Sequence, residues 1–590
     1  MIQPKSTTLG EILTLPKHFA VPKYQRGYAW EANEAGDFFD DLESEAEAGR
    51  GLFLGTIIFN VAEDAHDKME IVDGQQRLTT IFLLLIACRQ LAKGLALDGI
   101  AQETQKRITV TDPTTAKSRG PLLLASESIR DVFDQMADID WSGTIPQKIG
   151  SRPVKRQGRR IRPIYEYFQR RIKDYGQPHL SRLLEAIYKT RVIRIDILGD
   201  EEAFSIFERT NARGTDLEVS DLLKNYLYQQ KTPSLDEKWK EIIQNAEGTI
   251  LKMLKYFYVA KREYVNKAEL YPRLKKYSQA IGGAEVFVDE LKDFSRFYAT
   301  VRKEQGPVTI KGYFHDVGCE SIASDTDKYQ SVHIALQAMR LFNVSQIYPV
   351  ISAALSALLR NGGSNSKGMA KIFIRLLETM EKYHFINNAV CDRVGNEVEK
   401  LYASYCSKFS KTDDFEGTVN EFIASLKERL ASQEEFATRF CEIAYEKDSI
   451  PLLAYIFDRF SNHGLAPGER VNIFDPQPGV KRTNHNIEHF LPRKPQDDTL
   501  FDSQTLQAVD NIGNLLVISF RANSSLGNLS PAKKIQKLQG ELAKKVQNLP
   551  YVHEFIEKYG PSADSWDESA ISRRAIDMAT DAYESVWKLN

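Results

Sequence analysis

Over roughly the first 230 residues the apolar positions alternate in short runs and then switch to helical spacing. FLGTIIFNV (Phe53 to Val61), MEIV (Met69 to Val72) and RVIRIDIL (Arg191 to Leu198) are rich in β-branched residues and read as strands. In MEIVDGQQRLTTIFLLLIACRQL a strand passes into a helix whose apolar face is Leu78, Ile81, Phe82 and Leu85. From about residue 235 to 445 the spacing is helical almost throughout; in KGMAKIFIRLLETMEKYHF it is carried by Ile372, Leu376, Leu377 and Met380. A polar, Pro/Gly-rich interval from Asn462 to Thr483 ends this run. Beyond it the pattern predicts a strand ending at His489, a second strand from Leu515 to Phe520, and a polar turn entering a Lys-rich helix. The expected fold class is multidomain α+β and predominantly helical, divided at 1–232, 233–430 and 431–590.

A chain of 590 residues exceeds what one hydrophobic core supports, which agrees with that division. With 42% hydrophobic and 27% charged residues the composition is that of a water-soluble protein. The longest apolar run, Ile81 to Cys88, is too short to cross a bilayer, and MIQPKSTTLGEIL lacks the layout of a secretory signal, so a cytoplasmic protein with no membrane partner is expected. The cysteines (Cys88, Cys319, Cys391, Cys406, Cys441) stand singly, which argues against structural zinc and disulfides. A net charge of −2 confines any attraction for nucleic acid to local patches. One such patch is RPVKRQGRRIR (Arg152 to Arg162), where Lys155, Arg156, Arg159 and Arg160 are candidate DNA contacts; Pro153 and Gly158 predict a basic loop.

The C-terminal text NHNIEHFLPRKP, then DNIGNLLVISFRANSSLGN, carries the residue types that phosphodiester hydrolysis requires. A neutral imidazole is a natural general base near pH 7, which assigns that role to His489. Glu488 and Asn523, with Asn528 as a further candidate, offer the hard oxygens that Mg²⁺ or Mn²⁺ prefers. Adjacent strand residues face opposite sides, so Glu488 and His489 reach one metal only at a strand end or bulge, and Pro492 is placed to end the strand. The alternative of a helical His485/His489 pair is opposed by Asn484, Asn486 and Pro492.

In the N-terminal region the polar run Asp73-Gly74-Gln75-Gln76-Arg77 falls at a helix N-terminus, where free N–H groups and the helix dipole favour phosphate and Arg77 adds a planar cation. Helix capping by Asp73 is the competing role. Upstream, VPKYQRGYAW clusters Tyr24, Gln25, Arg26, Tyr28 and Trp30; downstream, FERTNARGTDLEVSDLLKN brings Asn211, Arg213, Gly214 and Lys224.

IEHFLP, NIGNLLVIS and NSSLGN resemble the HNH nuclease domain of the GmrSD-type modification-dependent restriction endonucleases, over roughly residues 430 to 590. YQRGYAW, DGQQR and the FERTNARG segment resemble the ParB/sulfiredoxin-like N-terminal domain of the same family, over about residues 10 to 230. The resemblance implies a ββα-metal nuclease with His489 as base, Asn514 orienting it, and Asn523 helping to hold the metal. It also implies an α/β domain that binds and hydrolyses GTP or ATP, with Gln25, Arg26, Asp73, Gly74, Gln75, Gln76 and Arg77 around the triphosphate. Tyr24 and Trp30 join the basic patch as candidate DNA contacts. The function implied is nucleotide-regulated cleavage of modified double-stranded phage DNA, with a homodimer suited to cutting both strands. A non-cutting, nucleotide-gated DNA-binding regulator and an RNA-cleaving toxin are the alternatives. The sequence departs from many HNH modules in having an asparagine where they place a late histidine, and in lacking CxxC pairs.

Overall fold

The computed structural model describes residues 4–22, 25, 27–61, 67–112, 114–115, 117–149, 152–199, 219–303, 306–363, 365–393, 396–466, 469–474, 484–495, 502–546 and 549–589. The chain forms two compact units, Met1–Trp239 with Tyr271–Val288, and Lys240–Leu270 with Asp289–Asn590. Of the region 233–430, read from the sequence as a separate middle domain, residues 240–270 and 289–430 share a unit with the C-terminal segment, and 233–239 and 271–288 belong to the first unit.

The first unit is built on a mixed sheet of β1 (Pro4–Thr8), β2 (His18–Ala20), β3 (Phe53–Asn60), β4 (Lys68–Asp73), β5 (Leu123–Leu124) and β6 (Arg191–Ile197). The order across the sheet is β1-β6-β3-β4-β2-β5. β6 runs parallel to β3, pairing Ile193 with Thr56 and Ile195 with Ile58, and β3 is antiparallel to β4. The strands read from FLGTIIFNV, MEIV and RVIRIDIL are therefore neighbours or near neighbours in one sheet. Helices α1 (Ala32–Glu47), α2 (Gln75–Gly94), α3 (Lys155–Ile172) and α4 (Gln177–Lys189) enclose the core around it. α2 is apolar nearly all round and buried from Leu78 to Arg89, as a central helix must be.

The basic stretch from Arg152 to Arg162 is not a loop. Arg152–Pro153 forms a short strand, and α3 starts at Lys155 and runs through Pro163 to Ile172. The reason is the apolar series Ile161, Ile164, Tyr165, Phe168 and Ile172, all buried at helical spacing, which outweighs the local preferences of Gly158 and Pro163. Gly158 is a packing residue instead, since a Cβ there would meet Ile145 Cγ2 at 3.2 Å.

The second unit is helical, including α5 (Thr326–Leu341), α6 (Lys367–His384) and α7 (Ile450–Asn462). It then carries β7 (His485–His489), β8 (Leu515–Ser519), α8 (Phe520–Leu526), α9 (Pro531–Gln539) and α10 (Glu568–Asp581). β7 and β8 pair antiparallel, His485 opposite Ser519 and His489 opposite Leu515, and α8 follows at once. The two strands and the Lys-rich helix, α9, stand in the order expected from the sequence, but the polar segment expected as a turn between them is itself the helix α8, capped by Ser519. The last residues of the chain pack into the helices of this unit: Trp587 stacks on Phe385 at 4.2 Å and donates its indole N–H to Tyr455 Oη at 2.8 Å. Tyr455 in turn donates to the buried Glu381, which also binds Arg459 at 2.6 Å. Among the described residues no helix is long and apolar enough to cross a membrane.

Candidate functional sites

In the first unit three sequence-distant motifs meet at the start of α2. Gln76 accepts from Ala29 N–H at 2.8 Å and donates to Gly27 O at 3.3 Å, while Gln25 Nε2 donates to the carbonyls of Ile71 and Val72. Tyr28 Oη lies 2.7 Å from Thr80 Oγ1, and Arg160 Nη1 donates to Tyr28 O at 3.3 Å. Arg77 is held by Leu54 O at 2.7 Å and by Asp73 at 3.3 Å. Gln25, Gln76 and Arg77 therefore spend their polar groups on fastening the motif around the helix start. Asp73 does not cap α2; Gly74 is the N-cap, at φ +97°, where a Cβ would also press on Ile57 at 3.2 Å. Gly74 brings no side-chain cap to α2, whose start presents the positive end of the helix dipole. Gln75 is buried in this turn.

The remaining sequence-predicted contacts are distributed as follows. Trp30 packs against Phe38, ring centroids 6.4 Å apart, and is half-buried. Arg159 is exposed on α3; Lys155 and Arg156 begin that helix, with side chains outside the described residues. Tyr24, Arg26, Asn211, Arg213 and Gly214 also lie outside the described residues, while Lys224 stands over the Tyr228 ring at 5.5 Å.

In the second unit Glu488 and His489 end β7 in two different environments, as strand alternation demands. Glu488 is buried at 5% exposure, and its Oε1 accepts from Lys534 Nζ of α9. The same ammonium donates to His489 O at 2.6 Å. Burial raises the Glu488 pKa and lowers that of Lys534, each opposed by the other's charge. His489 faces the other way: Nε2 is 2.8 Å from Asp510 Oδ1, and the ring lies edge-on to Tyr445 with centroids 4.9 Å apart. Burial lowers the His489 pKa and the Asp510 hydrogen bond partly offsets this, so the imidazole is neutral at pH 7. With Nε2–H directed at the carboxylate, Nδ1 is the basic nitrogen, and it has no hydrogen-bond partner among the described residues.

Asn514 is wholly buried and touches the chain beside His489 rather than its ring. Its Oδ1 accepts from Leu491 N at 2.8 Å and from Trp566 Nε1 at 3.0 Å; its Nδ2 donates to Leu491 O at 2.8 Å and Val509 O at 2.7 Å. Its carbonyl also accepts from Phe490 N at 2.8 Å. The asparagine expected to orient the histidine thus clamps the two residues that follow it, and the side chain that hydrogen-bonds the ring is Asp510. From the far side α10 presses on Gly513, where a Cβ would lie 2.1 Å from Ile571 O, and Arg574 Nη1 donates to Gly513 O and Leu515 O at 2.7 and 2.8 Å.

Asn523, half-buried on α8, donates Nδ2 to Ile487 O at 3.2 Å, which leaves its Oδ1 as an acceptor next to β7. Asn528 is exposed. Of the Glu488 oxygens one is taken by Lys534, and the other has no hydrogen bond among the described residues. The Lys534 ammonium already balances the Glu488 carboxylate, so the oxygens left to a hard cation here are the second Glu488 oxygen and Asn523 Oδ1. Among the described residues there is no cluster of three or more His, Cys, Asp or Glu that would make a closed metal cage.

The sequence matches the GmrSD restriction endonuclease N-terminal domain over residues 9–228 and the GmrSD restriction endonuclease C-terminal domain over residues 430–581. The chain belongs to the GmrSD restriction endonucleases. A comparison with curated proteins finds no match. In this GmrSD chain the His489 cluster lies inside the C-terminal match and the Gly74 helix start inside the N-terminal match. The partners that sequence reasoning missed are Asp510, Lys534, Arg493 and Trp566. Asp510 precedes NIGN directly, and an acidic residue at the mouth of that motif was the one local signal available; Lys534, Arg493 and Trp566 gave none.

Proposed function

We propose that this GmrSD protein is a nucleotide-regulated, modification-dependent DNA endonuclease of anti-phage defence, cutting at His489 through an HNH-type centre. The observation that carries the reading is a neutral imidazole fixed through Nε2 by Asp510, its Nδ1 open, on a strand end locked by Asn514. Nδ1 takes a proton from the attacking water while Asp510 holds the ring and stabilises the imidazolium. Glu488 and Asn523, with Asn528 as a peripheral candidate, would hold Mg²⁺ or Mn²⁺, which supplies charge stabilisation on the phosphate when bound. In the first unit the uncapped start of α2 would receive the phosphates of GTP or ATP, framed by Gln25, Gln76 and Arg77. Arg159, Arg160 and the neighbouring cations of α3 are the proposed DNA contacts, and a homodimer would serve double-strand cleavage.

The test is cleavage of unmodified, methylated, glucosylated and phosphorothioate duplexes with Mg²⁺ or Mn²⁺, with and without GTP or ATP, by the wild type and His489→Ala. The reading expects cleavage of one modified class, dependent on nucleotide and lost in His489→Ala. Equal cutting by both proteins removes His489 as the base. Arg77→Ala is expected to weaken triphosphate turnover, and unchanged hydrolysis would remove the α2 assignment.

A further inference from the structure

The half-exposed guanidinium beside His489 has a place in this site that neither the motif nor the family match assigns. Arg493 lies four residues beyond His489 and two beyond the Asn514 clamp at Leu491. Its Nε donates to Asp510 Oδ1 at 2.6 Å, the same oxygen that lies 2.8 Å from His489 Nε2. Its Nη2 donates to Tyr445 O at 3.1 Å, and the guanidinium carbon stands 4.7 Å above the Tyr445 ring. One edge of the planar cation is thereby bound on a backbone carbonyl, a carboxylate and an aromatic face. Nη1 has no hydrogen-bond partner among the described residues, and the side chain keeps 47% of its exposure where His489 keeps 15%.

The contacts with Asp510 and Tyr445 tie residues 490–495 down and at the same time hold the guanidinium in a fixed orientation beside His489. A preorganised planar cation within one carboxylate oxygen of the general base has a use there. A phosphodiester placed for attack by water activated at Nδ1 gains negative charge on its non-bridging oxygens, and a fixed guanidinium stabilises that charge without reorganising. Lys534 does not serve this purpose, since its ammonium is buried at 1% exposure between Glu488 and the His489 carbonyl. Asp510 partly balances the Arg493 charge, and the same carboxylate keeps the two groups in register.

The geometry points to Arg493 as a catalytic residue of the cutting site, its Nη1 holding a non-bridging oxygen of the scissile DNA phosphate. This assignment rests on the His489 reading. The experiment is single-turnover cleavage, at saturating DNA and Mg²⁺, of the duplex from the panel above that the wild type cuts best. Wild type, His489→Ala, Arg493→Ala and Arg493→Lys are compared, with thermal midpoints taken on each. Arg493→Ala is expected to slow cutting by about 100-fold or more while its midpoint stays that of the wild type. Added free guanidinium should restore part of the rate to Arg493→Ala and none to His489→Ala. Wild-type cutting by Arg493→Ala beside an inactive His489→Ala overturns the Arg493 assignment alone. So does a slow Arg493→Ala that guanidinium fails to rescue and whose midpoint has dropped, because that is a structural tether. Wild-type cutting by His489→Ala instead strikes the underlying reading, and Arg493 falls with it.

Discussion

Asp510 Oδ1 stands 2.8 Å from His489 Nε2, so two residues 21 apart in sequence settle which imidazole nitrogen can accept a proton. The carboxylate takes Nε2–H and leaves Nδ1 as the base. Replacing Asp510 by Asn keeps the size but makes the partner a neutral amide, able to present N–H as well as oxygen and so to permit the wrong tautomer. Asp510→Asn is expected to lower the single-turnover cutting rate by about 10- to 100-fold with DNA affinity little changed. Quench-flow rates beside a binding isotherm check this, and a wild-type rate would remove the orienting role.

The acid limb of the cutting rate follows from the same pair. Burial lowers the His489 pKa below its ordinary value of 6.5, so the base is mostly deprotonated at pH 7. The rate should rise as pH increases through the lowered pKa, with the midpoint of that limb below pH 6.5. Asp510 raises that pKa and Arg493 lowers it. Asp510→Asn should therefore move the limb to lower pH, and Arg493→Ala should move it to higher pH. A limb in the wild type centred above 6.5 would contradict the burial of the ring.

Asn514 is the mechanical centre of the β7 end. Asn514→Ala leaves Leu491 N–H, Leu491 O, Val509 O and the Trp566 indole N–H without their partner in a site of 0% exposure. Unsatisfied buried groups cost about 1–3 kcal/mol each and solvent entry relieves part, so a loss of about 3 kcal/mol is expected. Urea unfolding of the second-unit transition measures it. The same variant should lose cutting even where folded, because residues 490 and 491 no longer fix His489.

His384 gives the second unit an acid-sensitive point away from the nuclease. It is fully buried, with Nδ1 2.6 Å from Asn388 Oδ1 and Nε2 2.7 Å from Tyr402 Oη, and burial pushes its pKa down from 6.5 to about 4. Between those values the unfolded chain binds a proton that the folded chain refuses. Stability contributed by the neutral ring is therefore full above pH 6.5 and is lost progressively as pH falls toward 4, by about 3 kcal/mol in all. His384→Gln should be less stable at pH 7 and show a flatter pH dependence between 4 and 6.5 in denaturant titrations. Parallel curves for the two proteins would show that other groups carry the acid sensitivity.

Glu488 and His489 were readable as a pair because they are adjacent in the chain, and β7 and β8 because each is a single uninterrupted apolar pattern, whereas the polar FRANSSL segment, expected as a turn, is helix α8 and carries little apolar spacing to mark it. The basic stretch at Arg152–Arg162 reads as a loop from Pro153 and Gly158, but Pro153 lies just before the helix begins and the cue of Gly158 is weaker than the burial of Ile161, Ile164 and Phe168 on one face. Gln25 and Gln76 were legible as polar residues of motifs near a helix start, whereas their hydrogen bonds to the Ile71–Val72 and Gly27–Ala29 backbones were not.

The sequence by itself determined the strands of the first sheet, the strand pair β7 and β8, and the helix start after Asp73, because these depend on spacing along the chain. Only the tertiary structure decided what surrounds them. Lys534 binds Glu488 across 46 residues, Trp566 binds Asn514 across 52, and Asp510 and Arg493 converge on His489 and Tyr445. Such contacts require packing of elements far apart in the chain, and a lone Lys, Arg or Asp at a surface-like position carries no periodic mark of the partner it will meet.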